Sequence, residues 1–304
     1  MKRLKLYWEF ARPFTLIAPG LGMLSGGLTA MGAGEPTPIT VHRVAVILAG
    51  TLMAMVLNAA SNAVNQVYDL TNDRINKPGR PIPSGRLSIP HAKVITLILY
   101  VLAWILAAAV GRECLLVVLV ASFFTYIYSV PPLRTKRHGI WANVTIAIPR
   151  GLLLKVAGWS AAKSIFEGPE PWWIGLIFGT FLLGASTTKD FADMAGDKAD
   201  GCDTLPLKYG VRRAAYMIAP FFILPFLFIP LAARAGWLTG VPILLDLLGG
   251  LLVAWGIYTV SLIVKDPEAL ARTENHPSWR HMYLMMFTAQ VGFAISYLAK
   301  YVVE

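Results

Sequence analysis

The apolar residues of this chain fall into nine stretches, roughly 14–33, 43–66, 94–110, 114–130, 140–161, 172–189, 214–233, 240–264 and 282–302. A run of about 17 to 25 predominantly apolar residues is long enough to cross the hydrocarbon core of a bilayer as a helix, the only open structure that satisfies its own backbone there. Composition agrees: 56% of residues are hydrophobic, 14% are charged and mean hydropathy is +0.58, far too apolar for a soluble domain of 304 residues. No long polar segment separates the stretches, so residues 1–304 are expected to form a single all-α integral membrane domain. The first stretch follows Lys2, Arg3, Lys5 and Arg12 and precedes A-M-G-A-G-E, which resembles a signal peptide. It is long for such a segment and eight more spans follow, so it reads as a retained first helix.

The net charge of +10 is informative through its placement. With nine crossings, the face carrying the N-terminus holds 20 of the 27 Lys and Arg residues. The opposite face holds Arg43, Arg112, Lys163, Arg234 and Lys300, and Arg150 and Lys155 fall within the fifth span. The positive-inside rule then puts the N-terminus in the cytoplasm, the C-terminus outside and the protein in the cytoplasmic membrane. The basic excess is a topology signal, and nothing in it resembles a nucleic-acid patch. Cys114 and Cys202 lie on opposite faces, so no disulfide joins them, and neither has the spacing of a zinc site.

Two acidic clusters stand at the cytoplasmic ends of the second and sixth spans. The first is N-Q-V-Y-D-L-T-N-D-R-I-N-K-P-G-R-P-I-P-S-G, Asn65 to Gly85, and the second runs K-D-F-A-D-M-A-G-D-K-A-D-G-C-D-T-L-P, Lys189 to Pro206. Asn65, Asp69 and Asp73 recur every four residues and share one helical ridge about 12 Å long. Asp190, Asp193 and Asp197 fall at i, i+3 and i+7, also one face. Carboxylates at membrane depth are costly unless neutralised, and hard divalent cations take oxygen ligands while keeping several waters. Facing ridges could therefore hold cations, and the cations a phosphorylated ligand. Alternatively, such acids are only helix-end or solvated loop residues. Asp200 and Asp203 read as loop or turn residues of that kind. Asn58 and Asn62 continue the first ridge into the span and suggest a polar cavity, with Asn62 a candidate substrate contact.

Basic residues accompany both clusters. Arg80, Arg134 and Lys136 are the best candidates to meet a diphosphate, because prolines hold their loops near helix ends. Arg150 and Lys155, inside A-I-P-R-G-L-L-L-K-V-A-G, are candidates by their depth in the membrane, although their spacing puts them about 140° apart. An ion or lipid transporter would spread its ionisable residues through the membrane, whereas these acids gather at one face. A non-catalytic lipid-binding protein would have no use for intact metal motifs.

At these clusters the chain resembles the UbiA superfamily of intramembrane prenyltransferases, over nearly its whole length. The N-x-x-x-D-x-x-x-D motif stands as Asn65, Asp69, Asp73 and the D-x-x-x-D motif as Asp193, Asp197, preceded by Asp190. Arg12-Pro13 and Y-S-V-P-P-L-R at 128–134 also fit. The resemblance implies nine transmembrane helices around a central cavity open to lipid. It implies two Mg2+ ions on Asn65, Asp69, Asp73, Asp190, Asp193 and Asp197, with Asp69, Asp73, Asp193 and Asp197 catalytic. The implied reaction passes a polyprenyl group from a diphosphate donor to a small acceptor, with membrane lipid as surroundings. I-N-K-P-G-R-P-I-P-S-G is similar to chlorophyll synthases and archaeal digeranylgeranylglyceryl phosphate synthases, and N-Q-V-Y-D to homogentisate prenyltransferases. S-T-T-K-D-F-A-D matches none of these closely, which leaves open an aromatic, chlorin or glycerol-phosphate acceptor in lipid or quinone biosynthesis.

Overall fold

The computed structural model describes residues 2–303, and among them every regular element is helical. An amphipathic α1 (Lys2–Ala11) precedes a 3-10 turn at Pro13–Leu16 that opens α2 (Ile17–Gly32). The long α3 (Val41–Tyr68) is interrupted at Asp69 and resumes as α4 (Leu70–Asn76), which stops before Pro78. An antiparallel pair follows, α5 (Ile89–Val110) and α6 (Arg112–Ser129), joined through Gly111 alone.

The fifth span is composite. It consists of α7 (Ile140–Ala147), a π-helical turn at Ile148–Leu153 and α8 (Leu154–Trp159). Pro149 supplies no amide hydrogen to an ordinary helical bond there, and the wider turn absorbs the loss. Next, α9 (Glu170–Ala185) passes through a 3-10 turn into the acidic α10 (Asp190–Ala199), followed by the short α11 (Leu205–Tyr209). A second composite span joins α12 (Val211–Ile218) to α13 (Leu224–Arg234) across a 3-10 turn at Pro220. The chain ends with α14 (Pro242–Lys265), α15 (Pro267–Arg272), α16 (Pro277–Leu298) and α17 (Lys300–Val303).

Among the described residues eight spans are long and apolar enough to cross a membrane. The expected sixth span, 172–189, is not one of them: α9 is only 16 residues long and its last turn tightens into 3-10 geometry. The packing nevertheless requires it to cross. At the far end of α2, Tyr301 Oη donates to Met31 O (3.1 Å), and Lys300 bonds Gly34 O. At the near end, Phe10 of α1 is buried with Ala63, Val67, Ile82 and Leu87. The termini therefore lie at opposite ends of the bundle, which demands an odd number of crossings. Glu170, opening α9, accepts from Tyr297 Oη (2.5 Å) and Thr239 N (2.6 Å) at the far end, and α9 leads directly into the acidic cluster at the near one.

Small residues set the closest helix contacts. A Cβ on Gly26 would lie 2.9 Å from Gly158 Cα, and one on Gly151 2.5 Å from Gly179 Cα. In lipid, where no hydrophobic effect drives helices together, such close backbone approach provides the packing attraction. Between α9, α13 and α16 the core is aromatic, with Phe181, Phe226 and Phe293 fully buried. Exposed Leu97, Ile98, Ile105, Leu247 and Leu251 lie on α5 and α14, where they suit contact with lipid.

Candidate active site

Three amides on one face of α3 fix the entry to the first span. Asn58 Nδ2 donates to Thr15 O (3.0 Å), Asn62 Nδ2 to Ala11 O (3.2 Å) and Thr15 Oγ1 (2.7 Å), and Gln66 Nε2 to Phe10 O (2.8 Å). Asn62 does line the cavity described below, but its amide group is committed to protein. One turn onward the acids begin. Helical bonding continues through the break, with Asp69 N on Asn65 O (2.9 Å) and Asp73 N on Asp69 O (2.8 Å), so the four-residue spacing of the ridge survives.

The ridge and its counterpart on α10 border one cavity of about 240 Å³. Its lining includes Asn65, Asp69, Asp73, Asp190, Asp193 and Asp197, together with Asn62, Arg80, Lys136 and Arg150. The two acidic helices touch directly: Asn72 Nδ2 donates to Asp197 Oδ1 (2.6 Å) and Asn76 Nδ2 to Asp193 O (3.1 Å). Gly196 permits the contact, since a Cβ there would collide with the Asn76 amide.

Each cluster carries its own counter-charge. Asp69 accepts from Lys136 Nζ (2.5 Å) and from Asn65 Nδ2 (2.6 Å), Asp73 pairs with Arg80 (2.5 Å), and Asp193 with Lys189 (3.0 Å). The compensation is incomplete. Burial, only partly offset by Arg80, raises the Asp73 carboxyl above its ordinary range, and Asp73 Oδ2 is buried without a hydrogen-bond partner. Burial and then the nearby Asp197 push Asp190 up further, and burial brings Asp197 to about 6. Protons favour these sites because positive charge is short there.

Asp200 corrects the sequence reading. Expected as a solvated loop or turn residue, it is 5% exposed and binds Arg134 (2.8 Å), Lys136 (2.9 Å) and Arg137 (3.4 Å). Burial alone would raise its pKa, but Lys136 and the two arginines outweigh that and hold it below the ordinary value. Its spacing puts it on the helical face of Asp190, Asp193 and Asp197, but its burial depends on cations distant in the chain. Asp203, by contrast, is exposed and pairs with Lys208.

Of the candidate basic residues, Arg80, Lys136 and Arg150 line the cavity, and Arg134 stands behind it, between Tyr68 O (2.7 Å) and Asp200. Lys155 does not reach it. It is 3% exposed in the bundle interior, with Nζ on Ser25 Oγ (3.0 Å) and 4.2 Å from the centroid of the Phe178 ring. The rotation between Arg150 and Lys155 sends the two cations to different sides of the span. Cavity residues that sequence reasoning did not assign to the site include Arg12 and Tyr128, noted there only within motifs, and Gln290. A smaller, largely apolar cavity of about 40 Å³ adjoins the first, sharing Pro19, Asn58, Ser61 and Arg150 with it and bounded by Met53, Leu57 and Val118.

The fold and site define a polytopic membrane protein with an acid-lined cavity extended by apolar space. The chain belongs to the UbiA prenyltransferase family, whose model matches residues 23–296. A digeranylgeranylglyceryl phosphate synthase of Methanosphaera stadtmanae is 27% identical over 256 residues, 83% of this chain and 88% of the relative. The chloroplastic homogentisate solanesyltransferase of Arabidopsis thaliana is 32% identical over 218 residues, 69% of this chain and 56% of the relative. The chain thus spans little more than half the length of the plant relatives it matches. The structure of a UbiA homolog from Archaeoglobus fulgidus bound to GPP and Mg2+ superposes with a TM-score of 0.70, covering 95% of this chain and 99% of that one. At 18% identity that likeness establishes the fold.

Proposed function

We propose that this protein is a Mg2+-dependent prenyltransferase that moves a polyprenyl group from an isoprenoid diphosphate to a small acceptor of the aromatic, chlorin or glycerol-phosphate type. The observation that carries the reading is the meeting of two carboxylate ridges, from different spans, across one cavity with an apolar extension. Relatives named as a homogentisate solanesyltransferase and a digeranylgeranylglyceryl phosphate synthase, and the family member bound to GPP and Mg2+, support it.

Magnesium suits the residues present. The donors are all oxygens of Asp and Asn, and the unpartnered Asp73 Oδ2 and the burial-raised carboxyls of Asp190 and Asp197 call for positive charge. Among the described residues no three His, Cys, Asp or Glu side chains converge on one point; Mg2+ keeps several waters and needs few protein oxygens. Asn65, Asp69 and Asp73 would hold one ion, and Asp190, Asp193 and Asp197 a second. When bound, Mg2+ supplies Lewis acidity that neutralises a leaving diphosphate. Arg80 and Lys136 add positive charge beside that group, and Asp200 keeps Lys136 and Arg134 oriented. Apolar walls take the isoprenyl chain and exclude water from the allylic carbon, which becomes cation-like as its C–O bond breaks and is then attacked by the acceptor. The excess of basic residues at this end supports an active site facing the cytoplasm.

Purified protein with labelled geranylgeranyl diphosphate, Mg2+ and an acceptor panel should consume donor, and EDTA should stop it. Asp69→Ala and Asp193→Ala should each lose activity by about a hundredfold or more, the scale for losing one electrostatic stabiliser of a transition state. Full activity in both variants would show that the ridges are not the site.

A further inference from the structure

Two cavity arginines stand apart from the rest. Arg80 pairs with Asp73, and Lys136 with Asp69 and Asp200, so these cations belong to the acidic site. Arg12 and Arg150 line the same cavity, yet among the described residues neither guanidinium has a carboxylate within ion-pair distance or a side-chain hydrogen bond. Both are placed by unusual backbone. Arg12 adopts the left-handed conformation (φ 58°, ψ 66°), shared among non-glycine residues of the described chain only by Arg134. Arg150 sits on the π-helical turn, a device that recurs at functional sites.

The strain at Arg12 is imposed by a built arrangement. The α3 amides grip the chain on either side of it, at Phe10 O, Ala11 O and Thr15, and Thr15 N and Oγ1 both donate to Arg12 O (2.9 and 2.8 Å). Left-handed backbone is costly for a residue with a Cβ and persists only where its surroundings dictate it. The Arg12 guanidinium is held down to about 10, first by burial and then by repulsion from Arg80 and Arg150. Asp73 offsets that repulsion only in part; Arg12 is half-buried, Arg150 is exposed to the cavity, and among the described residues neither is ion-paired. Such an arrangement is retained where an anion completes it.

Resting on the prenyl-transfer reading, we propose that Arg12 and Arg150 form a second anion subsite, which binds an oxyanion group, carboxylate or phosphate, on the acceptor. Placement separates this subsite from the donor's diphosphate. Arg150 borders both the polar cavity and the apolar one, whereas none of the acidic residues borders the apolar one. Arg150 thus stands where the polar cavity meets the apolar one, with Arg12 in the same polar cavity, and the prenyl-transfer reading puts the allylic carbon at that junction. An acceptor anchored there by its anion presents its nucleophile to that carbon. Arg12 and Arg150 bind the acceptor, and Asn62 is a positioning residue that acts through Arg12.

The test is calorimetry on the full chain in nanodiscs. Geranyl diphosphate with Mg2+ is titrated first. Its affinity should stay within twofold of wild type in Arg12→Gln, Arg150→Gln and Asn62→Ala. A tenfold loss in Arg150→Gln would assign the pair to the diphosphate and overturn the proposal. No donor binding by wild-type protein would instead fail the prenyl-transfer reading. Protein saturated with the non-reacting thiolo analogue of the donor is then titrated with benzoate and, separately, with inorganic phosphate. Wild type should bind one of them, which identifies the acceptor's oxyanion as carboxylate or phosphate. Arg150→Gln and Arg12→Gln should weaken that binding at least tenfold, Arg150→Lys should restore part of it, and Asn62→Ala should weaken it with both charges in place. Binding of neither anion to wild type, or equal binding by all variants, overturns the subsite. Thermal melts in the same nanodiscs identify a variant that has not folded, and Asn62→Ala and Arg150→Lys then carry the test.

Discussion

Asp200 lies one turn past Asp197 as the residue that ends α10, where a carboxylate opposes the helix dipole and would ordinarily turn to water. It is buried here because three cations meet it: Arg134 and Lys136, which also bind Asp69, and Arg137. Removing one partner of a buried ionic group leaves the others uncompensated, at a cost of about 3 kcal/mol. Asp200→Asn should therefore lower thermal stability by that order and also weaken donor binding, since Lys136 and Arg134 lose one of the two carboxylates that aim them. A melt in detergent with a donor titration checks both, and an unchanged melting temperature would return Asp200 to the status of a surface residue. The ridge of Asn65, Asp69 and Asp73 was legible because four-residue spacing is a helical property. The burial of Asp200 was not, because it depends on Arg134 and Lys136, more than sixty residues earlier in the chain.

At the level of elements, two carboxylates of α10, Asp190 and Asp197, share one buried environment. Burial first, with Lys189 and Lys136 opposing it, pushes Asp197 from an ordinary 3.8 to about 6, and Asp73 and Asp190 move the same way. The sign follows directly. The folded protein holds this proton more tightly than the unfolded chain, so the resulting stability is fully present below pH 3.8 and is lost as pH rises through about 6. Ligand binding runs in the opposite sense, because a metal needs the carboxylate. At pH 6 the binding of Mg2+ with geranyl diphosphate should release about half a proton from Asp197, and at pH 8 almost none from this group. Calorimetry in two buffers of different ionisation enthalpy reads this, and heats at pH 6 that do not depend on buffer would contradict it. Sequence placed the acids on one face of α10, but their partner face was hidden. The contact depends on Asn72 and Asn76, two amides in a loop-like stretch, and on Gly196, whose lack of a side chain admits them.

For the whole molecule, hydropathy located the spans because lipid imposes one rule along their length, while interruptions in a span lay beyond its reach. The turns at Pro149 and Pro220 and the short α9 are tertiary adjustments that an apolar count averages away. Eight long helices alone would return the chain to the side it began on, so the position of Lys300 and Tyr301 beside Gly34 and Met31 makes α9 a true crossing despite its 16 residues. From the charge bias we propose an orientation with Lys5, Arg74 and the acidic cavity in the cytoplasm and Glu35 outside. Both native thiols are buried and leave a clean background for labelling. In right-side-out vesicles a membrane-impermeant maleimide should label Glu35→Cys, and should reach Lys5→Cys and Arg74→Cys only after the membrane is opened. The exposed positions of all three make the readout one of sidedness alone. Labelling of Lys5→Cys and Glu35→Cys from the same side would refute the crossing of the first span. The reversed pattern would place the proposed diphosphate site on the outer face and overturn the orientation read from the charge bias.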